Sequence, residues 1–147
     1  MPRNAVAYDD DFFEWTMEQA RLLRSGELAD IDRENIAEEL ESMGKSLRRE
    51  LRNRTIVLIA HLLKWKYQPR LRSRSWSATA REQRRQISYV FDDAPSLKSL
   101  IPEELPNLYG AAREQAADET GLNERTFPTD CPFTPAEILS PDFLPED

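Results

Sequence analysis

The stretch DRENIAEELESMGKSLRRELRNRTIVLIAHLLKWKYQP, residues 32–69, decides the fold of this 147-residue chain. Mostly apolar side chains recur along it at steps of three or four residues, which is the spacing of one face of an α-helix. This stripe consists of Ile36, Leu40, Met43, Leu47, Leu51, Thr55, Leu58, Leu62 and Trp65. Because no strict heptad is kept, the spacing predicts a long helix of a globular protein, and not a coiled-coil seam.

The length and polarity of this helix set the next expectations. Its first half is acidic and its second half basic, an order that complements the helix macrodipole. From Asp32 to Tyr67 an unbroken helix spans about 54 Å at roughly 1.5 Å per residue. A compact chain of this size has a radius of gyration of about 15 Å. The helix is therefore expected either to kink near Gly44 or to protrude.

One segment of the helix, IVLIAHLL at residues 56–63, is apolar on every side. Such a segment needs neighbours all round, and a second subunit is a common source of them. The sequence therefore predicts a homodimer through this helix. The expected core or dimer contacts are Ile56, Ile59, His61 and Leu63.

Capping signals and helical periodicity predict three further main helices around the long one. Their expected bounds are about Asp9–Ser25 for the first, a start near Trp76 or Ser77 and a stop at Pro95 for the third, and about Glu103–Thr120 for the fourth. Thr79 and Glu82 have the spacing of a capping box at the start of the third helix. The expected core side chains of the first helix are Phe12, Trp15, Thr16, Gln19, Ala20, Leu22 and Leu23.

The C-terminal segment, residues 122–147, contains five Pro residues but is too apolar to be a free tail. Thr134, Pro135 and Glu137 predict one short helical turn through the capping-box pattern. The segment also carries six acidic residues and one Arg. We expect it to dock on the helices through its Phe residues and to help neutralise the basic strip described below.

Composition bounds the class of protein. A length of 147 residues with 39% hydrophobic and 32% charged residues suits a single helical domain over residues 1–147, with a flexible N-terminus over residues 1–8. The lone Cys131 excludes an intramolecular disulfide, and one Cys with one His cannot form a structural zinc site without carboxylate ligands. No cofactor or metal is expected. The apolar runs are too short for a membrane span, which predicts a cytoplasmic protein without membrane contact.

Charge is distributed in blocks that the net value of -7 hides. Residues 1–44 carry 4 basic and 12 acidic side chains, residues 45–85 carry 13 and 2, and residues 86–147 carry 3 and 13. A basic strip within the middle block is the candidate surface for an anion or a partner. It consists of Lys64, Lys66, Arg70, Arg72, Arg74, Trp76, Arg81, Arg84 and Arg85.

Five stretches in order make the sequence similar to a known family. They are YDDDFFEWTMEQARLLRSG, ENIAEELESMGKSLRREL, LIAHLLKWKYQP, RSWSATAREQRRQI and TFPTDCPFTPAEILSPDFLP. Together they resemble the bacterial family catalogued as domain of unknown function twenty-nine, over Tyr8 to Pro145. The resemblance implies a small all-helical protein and brings no reaction, cofactor or catalytic residue.

The sequence favours a non-enzymatic interaction or regulatory module: an all-α bundle of about four main helices, a long second helix and a packed C-terminal tail. A protein partner besides a second copy fits this prediction. The alternative is a nucleic-acid-associated protein that uses the strip between residues 64 and 85, and it is not favoured because the chain is acidic overall. A small hydrolase is the third hypothesis. No catalytic residue is assigned to it. His61 has the chemistry of a general base or metal ligand and Glu38, Glu39 and Glu41 that of a cation site, but a core or interface histidine and a solvated acidic face are the favoured interpretations.

Overall fold

Five α-helices make up most of the part of the chain that a computed structural model describes, residues 7–146. They are α1 at Phe12–Ser25, α2 at Arg33–Tyr67, α3 at Arg74–Asp93, α4 at Leu100–Thr120 and α5 at Pro135–Leu139. Single 3-10 turns lie between them, and no strand occurs in the described residues. The predicted all-α fold with four main helices and a long second helix is confirmed, and α2 runs through Gly44 as one helix.

Local side-chain chemistry sets where the helices begin and end. The Asp11 carboxylate accepts a hydrogen bond from the backbone N–H of Glu14 at 3.0 Å and caps α1. Gly26 ends α1 in the left-handed region, at φ 82°, where glycine is favoured. Ser73 caps α3, so the predicted capping box of Thr79 and Glu82 is wrong because both residues lie inside that helix.

Contacts divide the chain into two compact units, Met1–Ser46 and Leu47–Asp147. The second unit has a continuous core built from α2, α3, α4 and the C-terminal segment. Its α2 residues from Leu51 onward lie at its centre, and Leu58, Ile59, Leu62 and Leu63 are fully buried. The single domain over residues 1–147 stays a prediction.

The C-terminal segment packs into this core, as expected. Phe127, Phe133 and Ile138 are all buried, and the ring of Phe127 meets the ring of Tyr67 edge-on at 5.4 Å. The Tyr109 hydroxyl donates to the Pro128 carbonyl oxygen at 2.5 Å. The predicted helical turn is α5, and its capping box between Thr134 and Glu137 is confirmed.

The first unit holds α1, the start of α2 and one polar junction. Asp32 joins the two helices. Its carboxylate accepts hydrogen bonds from Trp15 Nε1 at 3.0 Å and from the Asn35 side-chain amide at 2.8 Å. Its backbone N–H donates to the Gln19 side-chain oxygen at 2.7 Å. The Asn35 bond is the main cause of a lowered Asp32 pKa. Tyr8 packs on the Trp15 ring and donates to Glu39, while residues 1–6 of the predicted flexible N-terminus lie outside the described residues.

The inner stripes are only partly buried in this unit. Trp15, Gln19 and Leu22 are buried, but Phe12 and Leu23 of α1 are 49% and 46% exposed. On α2, Leu40 and Met43 are 63% and 65% exposed. The predicted core position of Phe12 and Leu23 is wrong, and the α2 stripe is exposed at Leu40 and Met43. Phe12 contacts the rings of Tyr8 and Trp15, with centroids 5.6 and 5.8 Å away, but these rings cover only part of it.

We expect Phe127→Ala to lower the free energy of unfolding by about 3–5 kcal/mol, since it empties a core site that is 1% exposed. Phe13→Ala is the matched control, because that ring is 68% exposed and its loss is expected to cost no more than about 0.5 kcal/mol. Urea unfolding followed by circular dichroism measures both. Equal losses for the two variants would show that the C-terminal segment contributes nothing to the core.

Candidate functional site

Lys64 is the first cation of the basic strip, and it makes its contacts inside the protein. Its side chain is buried, with Nζ 3.6 Å from a Glu119 carboxylate oxygen and 4.9 Å from the centre of the Trp76 ring. The cation therefore has both a counter-charge and an aromatic face within the chain. One face of Trp76 is occupied by this contact and is closed to a stacking base.

Arg72 packs over Trp65, the residue that follows Lys64, in the same way. Its Nε donates to the Trp65 carbonyl oxygen at 2.7 Å, and its guanidinium lies 5.2 Å from the centre of the Trp65 ring. Arg85 pairs with Glu82 at 2.7 Å on the surface of α3. Three of the eight strip cations are thus engaged with neighbours that the helices themselves provide.

Arg84 fastens the C-terminal segment to α3. Its Nε donates to the Ile138 carbonyl oxygen at 2.8 Å, and its two terminal nitrogens lie 3.4 Å from the carbonyl oxygens of Pro141 and Glu137. Burial lowers the pKa of this guanidinium, and the charge of Asp142 opposes the shift. We expected acidic side chains of the C-terminal segment to neutralise the strip. Arg84 is instead bound by backbone carbonyl oxygens of that segment.

The remaining strip cations are Lys66, Arg70, Arg74 and Arg81. Within residues 7–146 none of their side chains has a hydrogen bond or an ion pair, and the three arginines are exposed. Lys66 lines an open cavity of about 400 Å³ beside Phe133 and Phe143. Arg81 lines a smaller one of about 120 Å³ beside Arg84 and Asp142. These four are the cations left for an external anion.

His61 is half-buried, and one of its nitrogens is committed. Nδ1–H donates to the Val57 carbonyl oxygen at 2.9 Å, one turn earlier in α2. Burial lowers the pKa of the imidazole, although that hydrogen bond partly opposes the shift. Lys64 disfavours the protonated ring and Glu119 favours it. The net effect keeps His61 neutral at pH 7, as a structural histidine would be.

The acidic cluster and the thiol show no catalytic arrangement. Glu39 accepts the hydrogen bond of Tyr8, and Glu38 and Glu41 are exposed. Among the described residues, no three His, Cys, Asp or Glu side chains are grouped to hold a metal ion. The Cys131 thiol donates to the Phe133 carbonyl oxygen at 3.3 Å, and burial raises its pKa. A raised pKa leaves little of the reactive thiolate at neutral pH.

One exposed apolar part of α2 was not evident from the sequence. Every residue from Leu40 to Ser46 in α2 is exposed, including Leu40 and Met43. A Cβ atom added at Gly44 would meet nothing within 4 Å. This stretch, called here the exposed α2 segment, is a piece of helix that no described part of the chain covers. The sequence of the α2 stripe does not show at which residue its burial begins.

Other uncovered apolar side chains lie close to this segment in sequence. Nine large apolar side chains of the described chain are exposed, and seven of them fall between residues 12 and 43. The seven are Phe12, Phe13, Met17, Leu23, Leu28, Leu40 and Met43, and the other two are Leu71 and Tyr89. Exposed apolar side chains are thus concentrated in the first unit.

These features define a small all-helical protein. Its second unit has a continuous hydrophobic core, and its first unit is acidic and exposes seven large apolar side chains. In the part that the structure describes, no helix is both long and apolar enough to cross a bilayer. The chain belongs to the family described as Domain of unknown function DUF29, whose model matches residues 7–144. The resemblance seen in the five sequence motifs is therefore confirmed. No curated protein and no solved structure matches the chain.

The lowered His61 pKa predicts a pH effect on stability. The unfolded state takes up a proton below about pH 6.5 while the folded state resists it, so this contribution is lost as the pH falls below that value. We expect the melting temperature to fall less between pH 7.5 and pH 5 in His61→Gln than in the wild type. Parallel melting curves of the two proteins over this range would contradict the assignment.

Proposed function

We propose that the protein is a non-enzymatic interaction module that binds a protein partner through the exposed α2 segment. The observation that carries this proposal is the exposure of Leu40 and Met43, at 63% and 65%, on a helix stripe that is otherwise typical of a core. Contiguous apolar surface with a polar rim is characteristic of protein–protein contact sites. Here Glu39 borders the apolar side chains, because at about 100° per residue it lies beside Met43 on the helix surface.

The energetics favour an external partner over a role in folding. The core of the second unit is complete without Leu40 and Met43, because α2 enters that core only from Leu51 onward. Full burial of a Leu or Met side chain contributes about 1.5–3 kcal/mol. A partner that covers both side chains gains that free energy without displacing any contact of the described chain.

The homodimer expected from residues 56–63 stays a prediction, and its original reason is weaker. Ile59 and Leu63 are fully buried by the chain itself, so most of this apolar stretch already has neighbours, and only Ile56, Val57 and His61 stay half-buried. The half-buried Ile56 packs against the same core. A second subunit therefore finds more uncovered apolar surface at Leu40 and Met43 than at residues 56–63.

Paired substitutions test the interaction module. We expect Leu40→Gln with Met43→Gln to remove the proteins that crosslink to the tagged chain in its native host, because the contact loses its apolar anchors. Leu71→Gln with Tyr89→Gln is the matched control, since these side chains are 58% and 52% exposed in the second unit. Crosslinked proteins that depend equally on both pairs, or on neither, would contradict the proposal. Circular dichroism checks that both variants keep their helices.

Nucleic-acid binding is the second candidate, and the exposed Arg70, Arg74 and Arg81 are the observation that favours it. Phosphate contacts by three cations give weak binding with a steep salt dependence. The acidic blocks on both sides of the strip oppose even this. Because Trp65 and Trp76 each hold a cation of the chain, stacking adds little.

We expect short DNA and RNA to bind only near 10 mM salt, with no binding near 150 mM, where charges are screened within about 8 Å. Replacing Arg70, Arg74 and Arg81 by Gln should abolish the low-salt binding. Replacing Arg21, Arg24 and Arg33 by Gln removes the same charge from the first unit and should not. Fluorescence anisotropy measures both. Binding near 150 mM that the first triple variant loses would make the strip a nucleic-acid surface.

A further inference from the structure

We propose that the cavity between α3 and the C-terminal segment binds a phosphate group, which the guanidinium groups of Arg81 and Arg84 hold. The ligand is inorganic phosphate, or a phosphate monoester whose remaining atoms lie outside the cavity. This inference goes beyond the proposed function, because it concerns a small ligand and a different part of the chain. All residues that line the cavity belong to the second unit.

The cavity has the size of a single phosphate group. Ser77, Arg81 and Arg84 line it at steps of four and three residues, which is the spacing of neighbours on one face of α3. Its volume is about 120 Å³. This is the room of roughly four water molecules at about 30 Å³ each. The rest of the lining comes from the C-terminal segment and consists of Pro141, Asp142 and Leu144.

Arg84 is a buried cation without an ion pair. It is 8% exposed, and its hydrogen bonds all go to neutral carbonyl oxygens of the C-terminal segment. Among the described residues, no carboxylate lies within ion-pair distance of this guanidinium. A buried charge is costly unless it is paired, and the lowered pKa of Arg84 reflects that cost. An anion in the adjoining cavity supplies the missing counter-charge.

Both arginines still have N–H donors to offer. A guanidinium carries five N–H donors, and Arg84 uses three of them for the carbonyl groups. Arg81 is exposed, and its side chain makes no hydrogen bond or ion pair within residues 7–146. The Ser77 hydroxyl is already committed, since it donates to the Arg74 carbonyl oxygen at 3.1 Å. The planar forks of the two arginines are therefore the ligands, and arginine forks match the oxygens of a phosphate.

The charge of the lining favours phosphate over a carboxylate. Asp142 is the only acidic residue in the lining, so two arginines and one aspartate leave a net charge of +1. Asp142 is exposed, and it has neither a hydrogen bond nor an ion pair in the described part of the chain. A phosphate monoester carries about −1.5 to −2 charges at pH 7 and offers three strong acceptor oxygens. It can therefore pair with both guanidinium groups at once, although Asp142 repels it.

Nuclear magnetic resonance of the purified full chain tests the site. Inorganic phosphate is titrated in about 150 mM potassium chloride, which screens the unspecific attraction of the basic strip. We expect saturable amide shifts confined to residues 77–84 and 141–144, with a dissociation constant below about 1 mM. Phenyl phosphate, a monoester, is expected to shift the same residues. The tighter of the two probes shows whether the site takes free phosphate or a monoester.

Four single substitutions separate the cavity from the rest of the surface. Arg81→Gln should weaken phosphate binding at least about tenfold, because charge-assisted hydrogen bonds are lost. Arg70→Gln removes the same charge from the exposed strip outside the cavity and should change binding less than about twofold. Asp142→Asn should tighten binding about threefold, because the repulsion is lost, and Asp118→Asn is its control. None of the four side chains makes a hydrogen bond or ion pair with the described residues, so we expect all variants to fold.

Three results would overturn the inference. One is the lack of a saturable shift up to roughly 10 mM phosphate, which is ten times the expected dissociation constant. The second is binding that Arg81→Gln leaves intact or that Asp142→Asn weakens. The third is a set of shifts spread evenly over the exposed strip arginines. The proposed function does not depend on these outcomes, because it concerns Leu40 and Met43 of the first unit.

Discussion

The burial of the second half of α2 is the constraint on which the rest of the structure depends. From Leu51 to Leu63 this helix packs in one core with α3, α4 and the C-terminal segment, and Leu51, Leu58, Ile59, Leu62 and Leu63 are fully buried. The hydrophobic effect that buries such a cluster is the largest favourable contribution to the folding free energy of a domain. Each of these surrounding elements packs against one side of α2 and contributes side chains to the same core.

The C-terminal segment illustrates how an irregular chain can close a core. Its aromatic anchors contribute burial, but its backbone carbonyl groups lose water when they dock and need hydrogen-bond donors. Arg84 supplies donors to three of these carbonyl groups, and Tyr109 and Arg113 supply donors to Pro128 and Phe127. An arginine suits this task because its planar group carries five N–H donors. Arg84 of the basic strip therefore holds the C-terminal segment in place by these hydrogen bonds.

The sequence predicted most of the fold because its signals are local. Gly26 and Gly121 mark helix ends, the Thr134–Glu137 pair marks α5, and the 3.6-residue stripe marks α2. It could not predict the partners of Arg84, since a basic residue on a helix carries no sign of which carbonyl groups lie opposite. It also could not separate Leu40 from Leu51. Both occupy the same stripe, and only tertiary packing decides that one is covered and the other is not.

The two halves of α2 thus differ in what covers them, and hydrogen exchange along this helix measures that difference most directly. Amide exchange of the purified chain is followed along α2. The account predicts slow exchange at residues 55–63, which pack in the core of the second unit, and fast exchange at residues 40–46, which are exposed. Equal exchange rates in the two segments would contradict the account.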